Sequence, residues 1–535
     1  MEPLGRPLGR QRPRLPRHLR RDTVLLRYQA MRAPGGAAAL ACLGGVLVGA
    51  NPAPAQDWTT AGYDAQRSSW VRADAKISRD SVRAPGFQLL WKVKVDVDST
   101  QSSAVTPPVL LDLVIGHRGF RALGFVGAPS DHVVAIDTDL GRVEWERRLA
   151  PGAPSAGGSP ACAREITPDF ARSTNAAFPA PPGGRGGGRA GQAARSAVGE
   201  PGLGAVTLAQ LGTRRTAAPS APPKTPGPHV PPRPFPVVYV LSSDGMLHSL
   251  NVMNGADAEA PVPFLPPQSS ARGLIVVDDV AYVATVSGCG DAPNGVWALE
   301  LGSKQVATWR SASAIAGSVG PAIGPDGTVY VTTTTGELVA LEPRTLKPRQ
   351  THRAGGAGFT SSPVVFEHAA SVLIAASARD GRIHLLDSHR LASSKATESL
   401  NSASVAAAAV ASWAAPDGTR WLLVPRAGAI VAWKVVDHDG VPTIQPGWVS
   451  RDMITPLTPI VISGVVFTVS SGEFRAQPSS PAVLYALDAT TGKELWNSGT
   501  AMTSSARGGL SGGGGQVYVG TNDGTLYAFG FPMEH

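Results

Sequence analysis

Leu484-Tyr485-Ala486-Leu487-Asp488-Ala489-Thr490-Thr491-Gly492-Lys493-Glu494-Leu495-Trp496 reads as an apolar-alternating strand, a tight turn and a second strand carrying tryptophan. Its first five residues recur as Val133–Asp137, Leu247–Asn251, Val296–Glu300, Leu338–Glu342, Ile383–Asp387, Ile430–Lys434 and Leu526–Gly530. The central residues of the copies are 135, 249, 298, 340, 385, 432, 486 and 528, separated by 114, 49, 42, 45, 47, 54 and 42 positions. One outlier aside, the period lies in the forties, the spacing of a β-propeller whose repeats hold about four strands each.

The flanks of each copy supply the other strands. Glycine turns such as Asp244-Gly245, Thr335-Gly336, Asp380-Gly381 and Asp523-Gly524 precede it, and before them lie strands such as Val237–Val240 and Val517–Val519. Glycine supplies the positive φ that tight hairpins need. Further upstream, Thr106-Pro107, Ser159-Pro160, Gly320-Pro321, Ser362-Pro363 and Thr458-Pro459 open innermost strands, where proline costs no essential ladder bond. After four of the copies an outer strand carries tryptophan: Trp145, Trp309, Trp448 and Trp496. The last copy has no room for one before His535, whereas Gln88-Leu89-Leu90-Trp91-Lys92-Val93 is a spare strand ahead of the first. Pairing the two closes the ring and removes exposed edges. The expectation is an all-β, eight-bladed propeller of four-stranded blades, closed by an N-terminal strand pairing with the last blade.

Composition limits the partners. The formal charge is +8, but residues 1–32 hold nine Arg against Glu2 and Asp22, about +7. Residues 171–234 hold seven Arg and Lys224 against Glu200, again about +7, which leaves the repeats near −6. A basic face for nucleic acid is therefore not expected. The Pro/Gly/Arg-rich stretch at about 171–234 accounts for the 114-residue gap and is read as a disordered insert.

The N-terminus reads as a leader. Met31-Arg32, an Ala/Leu/Val-rich run to Val48 and Pro52-Ala53-Pro54-Ala55 form a signal peptide over 31–55, with 1–30 an untranslated or disordered extension. The propeller domain then spans 56–535, exported to the periplasm or secreted, with no transmembrane span in the mature chain and a monomeric state. Ala39-Leu40-Ala41-Cys42 is a poor lipidation signal. In an oxidising compartment Cys162 and Cys289 could form a disulfide; the alternative is two buried thiols.

Ala486–Trp496 and Ala135–Trp145 fit the pattern A-x-D-x-x-T-G-x-x-x-W fully or nearly so, and thereby resemble the pyrroloquinoline-quinone (PQQ)-like repeat superfamily. The opening Asp57-Trp58, Gly62-Tyr63-Asp64 and Arg67-Ser68-Ser69 resembles its N-terminal segment. The resemblance runs from about Trp58 to Met533 and implies the quinoprotein alcohol dehydrogenase-like fold. It leaves two functions open. Quinoprotein alcohol or sugar dehydrogenases hold the quinone and a Ca²⁺ at one mouth of the ring, typically beside adjacent cysteines; some add a Cys-x-x-Cys-His haem motif. This chain has neither motif. Non-catalytic members, including the lipoprotein scaffold of outer-membrane β-barrel assembly, have compact blades and no cofactor motif. That branch fits better: a binding or scaffolding module with protein partners in the cell envelope and no cofactor. PQQ with Ca²⁺ is the alternative.

Candidate site residues are few. Ser270-Ala271-Arg272-Gly273 and Ser505-Ala506-Arg507-Gly508 repeat one another on innermost strands, so Arg272 and Arg507 could line the channel and hold a carboxylate or phosphate. The competing reading pairs them with acids ending neighbouring strands. Asp291 and Asn294, in the loop Ser287–Gly295, could offer oxygens to Ca²⁺, but two ligands fall short of the usual six to eight. A turn joining two strands is the alternative. His384 and His389 lack a third metal ligand nearby. No hydrolase, Walker or dinucleotide motif is present, and no catalytic residue is assigned.

Overall fold

Small residues at the centres of the recurring strands set the architecture. Ala135, Ala298, Ala340, Ala432, Ala486 and Ala528 are all buried, each on a sheet that must face its neighbours on both sides. The computed structural model describes residues 57–95, 105–116, 119–150, 168–178, 236–286, 289–355, 357–393, 408–473 and 480–532. Within them the sheets are eight in number and helix is confined to short segments.

Seven sheets contain four antiparallel strands in radial order. Blade 1 runs Val109–Gly116, Gly119–Ala128, His132–Asp137 and Arg142–Arg148. Blade 2 pairs Asp169–Ala171 with Val237–Leu241, Met246–Asn251 and Asp257–Pro263, and blade 3 spans Ala271–Val277 to Val306–Arg310. Blade 4 spans Ala322–Ile323 to Pro348–Arg353, blade 6 Ala411–Ala414 to Val441–Val449, and blade 7 Ile460–Ile462 to Glu494–Asn497. Blade 5 has three strands among the described residues, Val364–His368, Ser371–Ser377 and Ile383–Asp387. Blade 8 is completed as the sequence predicts: Gln88–Lys94 lies antiparallel to Thr525–Gly530, from Gln88 opposite Gly530 to Lys94 opposite Thr525. Apolar clusters fill the clefts between successive blades, and the largest joins blades 7, 8 and 1, so the ring closes.

The recurring tryptophans serve this packing. Trp145 Nε1 donates to the Val252 carbonyl of blade 2 at 2.9 Å, and Trp448 Nε1 to the Ala489 carbonyl of blade 7 at 3.0 Å. These two outer-strand tryptophans thus dock on the turn of the next blade.

Two sequence expectations shift. Ser159-Pro160 lies outside the described residues, and the innermost described strand of blade 2 is Asp169–Ala171, preceded by Pro168, which preserves the small-residue–proline signature as Thr167-Pro168. The stretch read as an insert begins later than 171. Ala171 pairs with Tyr239, Ser173–Thr174 runs parallel to Val276–Val277 of blade 3, and Ala176 is buried. The rest of that stretch, the leader, Cys42 and Cys162 lie outside the described residues.

The opening segment has a role its sequence did not reveal. Residues 58–74 cross the blades in order, bonding each in turn. Main-chain oxygens of Trp58, Thr59, Ala65, Gln66, Ser68 and Ser69 accept from Leu110, Arg172, Ile323, Val365, Ser412 and Val461, on or beside the inner strands of blades 1, 2, 4, 5, 6 and 7. The Thr60 hydroxyl donates to Leu274 O in blade 3, and the Asp74 carboxylate accepts from Gly515 N in blade 8. This strap satisfies inner-strand groups that would otherwise face the axis unpaired.

Candidate functional site

Arg67 pins the strap at the axis. It is 1 % exposed, and its guanidinium donates to the carbonyls of Pro321 (2.9 Å), Gly273 (2.6 Å) and Ala61 and to the Thr60 hydroxyl (2.7 Å). Burial brings its pKa down to about 10, countered by the charges of Asp169 and Asp64. Asp64 accepts from the amide and hydroxyl of Ser68. These bonds hold Tyr63, Arg67 and Ser69 at positive φ of 82°, 60° and 54°, a conformation uncommon without glycine.

Above the strap lies a cup of about 470 Å³. Trp58, Thr60, Ala61, Gly62 and Ser69 of the strap line it together with the inner-strand regions of several blades, including Pro107, Asp169, Arg272, Thr458 and Arg507. A second chamber of about 450 Å³ adjoins it, sharing Ser318, Val319, Thr458 and Arg507–Gly509 and adding Pro425, Arg426 and Leu457. Both volumes fall in the range of ligand sites.

The structure brings Arg272 and Arg507 to one cup. Their strands carry matching register shifts, after Arg272 in blade 3 and after Ala506 in blade 8, and such bulges re-aim side chains. The glycine after each arginine admits the backbone of the next blade. A Cβ on Gly273 would come within 2.0 Å of Val319 O, and one on Gly508 within 2.9 Å of Val105 O. Arg272 donates to the Gly317 carbonyl at 3.4 Å. Arg507 is exposed and has no hydrogen bond or ion pair among the described residues, so the expected strand-end acid does not pair with it. Arg426, which sequence reasoning missed, enters the second chamber from the Arg420–Arg426 strand end of blade 6. It is buried and donates to Gly381 O. A different place in the repeat hid its kinship with the other two.

Asp169 is the one acid among the described residues lining the two chambers. Its oxygens accept from the amides of Phe170 (2.9 Å) and Leu274 (2.7 Å), and burial pushes its carboxyl up despite these bonds and Arg67. A Ca²⁺-held quinone requires several converging oxygen ligands. A single carboxylate already engaged by backbone amides does not fit that requirement, and no group of three His, Cys, Asp or Glu residues able to hold a metal occurs among the described residues. Asp291 and Asn294 lie elsewhere, on the turn between Val280–Thr285 and Gly295–Glu300 of blade 3. Asp291 is exposed, and Asn294 Oδ1 is buried without a partner. Cys289 sits in the same turn.

A family model described as outer membrane protein assembly factor BamB matches residues 427–531, covering blade 7, the three C-terminal strands of blade 8 and part of blade 6. No curated protein matches the chain. Among solved structures, quinohemoprotein alcohol dehydrogenase from Comamonas testosteroni is similar at 14 % identity and a TM-score of 0.53, covering 91 % of this chain and 82 % of its own. A europium-containing methanol dehydrogenase is similar at 11 % identity and a TM-score of 0.52, covering 89 % and 98 % respectively. BamB from Moraxella catarrhalis gives 13 % identity, 83 % and 100 % coverage and a TM-score of 0.45. At such identities the likeness is one of fold. The class is an eight-bladed β-propeller. Over residues 427–531 its repeats match the PQQ-like family model.

Proposed function

We propose that the chain is an exported, non-enzymatic binding or scaffolding module of the cell envelope, engaging a protein partner and working without a resident quinone or calcium ion. The observation that carries this reading is the donor set of the two chambers: among the described residues, three arginines against one carboxylate already engaged by backbone amides. A catalytic base or metal site would need acceptor groups left available for the reacting atoms. The partial match to the BamB family model supports the same branch. So does an apolar ribbon on blade 1, where Leu113, Ile115 and Phe120 are 58 %, 71 % and 74 % exposed and Ile115 pairs with Phe120. Exposed apolar groups clustered on one element suit a protein interface.

Calorimetric titration of the purified chain with PQQ and Ca²⁺ tests the reading. No saturable heat at high quinone concentration is expected. Micromolar or tighter binding would overturn it and favour the dehydrogenase alternative.

A further inference from the structure

We propose that the cup receives an extended acidic segment of the partner protein, anchored by Arg507 and Arg272; this rests on the binding-module reading above. Arg507 stands at the junction of the two chambers, exposed and without a hydrogen bond or ion pair among the described residues. Arg272 lies on the wall of the first chamber and Arg426 on that of the second. An arginine held over a concave, partly apolar surface gains most from a carboxylate, because charge-assisted hydrogen bonds strengthen where water is scarce.

The arrangement selects the form of the anion. A compact dianion is held best by guanidiniums converging on one point, whereas these come from blades 3, 8 and 6 and are divided between two chambers. The same walls carry Val319, Leu457 and Gly508-Gly509. A chain alternating acidic and apolar residues matches that lining, since successive side chains of an extended peptide point to opposite sides.

Fluorescence polarisation of the full chain with fluorescein-labelled Gly-Glu-Leu-Asp-Leu-Glu-Gly tests this, with Gly-Gln-Leu-Asn-Leu-Gln-Gly as the neutral counterpart. Saturable binding of the acidic peptide is expected, about tenfold or more tighter than the neutral one, the scale of a lost charge-assisted hydrogen bond. Arg507→Ala and Arg272→Ala should each weaken it about tenfold. Arg353→Ala, on the outer strand of blade 4, should leave it unchanged. Thermal melts establish that the variants fold, and Arg507, being exposed, is the safer of the two. Equal affinity for both peptides, indifference to Arg507→Ala, or citrate binding as tightly as the acidic peptide would each overturn the inference. So would silence toward both peptides, which leaves the non-enzymatic reading standing because the quinone titration decides that separately.

Discussion

The indole N–H of Trp91 donates to the main-chain oxygen of Thr138 at 2.8 Å, and the ring covers Gly141 so closely that a Cβ there would come within 2.4 Å of it. Trp91 belongs to the closing strand and Thr138 to blade 1, so this pair bonds the last blade to the first. Asp137 prepares the turn, accepting the Asp139 and Leu140 amides on its carboxylate and the Gly141 amide on its carbonyl. Trp145 over Gly255 and Trp448 over Gly492 repeat the geometry. The spacing from Asp to Gly to Trp thus encodes two surfaces that meet between blades: the turn receives its neighbour's tryptophan while its own strand sends one onward.

Gly141→Ala should therefore destabilise the fold by about 2–3 kcal/mol, through both clash and a φ of 62°. At the equivalent turn position of blade 3, Lys304 has φ 61° and an ion pair to Glu259 at 3.2 Å instead of a covering tryptophan. Lys304→Gly should change stability by less than about 1 kcal/mol. Urea unfolding of the two variants checks the contrast, and equal losses would refute the docking account.

Arg67 gives a larger effect. Arg67→Met would strip partners from the Pro321, Gly273 and Ala61 carbonyls, leave Asp169 without its nearby cation and leave Asp64 with Arg72 alone. The expected loss is about 3–5 kcal/mol, as for breaking a buried ion pair from one side. Arg67→Lys should recover little of it, because an ammonium cannot reproduce the planar fork of a guanidinium. Denaturant midpoints of the three proteins decide the matter.

The parts of this fold that were legible in sequence are those written in side chains. Alternating strands, turn glycines and docking tryptophans recur, so blade number and the closing strand followed from spacing. The strap was opaque because it works chiefly through its own carbonyls, and a main-chain acceptor leaves no residue signature. The inner strand Asp169–Ala171 was missed because three residues are too few to show alternation. The cup was half visible: a repeated Ser-Ala-Arg-Gly revealed two arginines, and nothing local distinguished Arg426.

Acid should weaken the interface between blades 4 and 5. His384 packs against His352, with ring centroids 5.6 Å apart, and against Phe359 at 5.0 Å; neither of its ring nitrogens has a partner. Burial pushes its pKa down to about 4, with His352 and Arg382 adding to the effect and Asp380 opposing it. His352 is lowered by burial as well. The folded imidazole of His384 stays neutral while the unfolded one takes a proton below its ordinary value of 6.5. Its contribution is thus complete above pH 6.5 and is lost as pH falls toward 4, by about 3 kcal/mol over that window. Urea midpoints between pH 7.5 and 4.5 should drop more steeply for the natural chain than for His384→Leu; parallel curves would contradict the assignment.

Strap and closing strand together make residues 57–95 the lock of the ring, and their removal tests that role most directly. A chain starting at Val105 would lose the hydrogen bonds from residues 58–74 to all eight blades and bare the edge of Thr525–Gly530. At about 0.5–1.5 kcal/mol net for each bond, that loss rivals a domain's whole stability of about 5–15 kcal/mol. The truncated chain is expected to unfold without a cooperative transition and to associate through its open edge. A synthetic peptide covering 57–95, added in trans, should restore a sharp melt. The same peptide carrying Arg67→Met and Trp91→Ala should not, since one substitution loosens the strap and the other undocks blade 8 from blade 1. Calorimetric scans of the three mixtures read the outcome. If the truncated chain alone melts cooperatively within a few degrees of the full chain, blade-to-blade packing suffices to close the ring and the segment is dispensable to it.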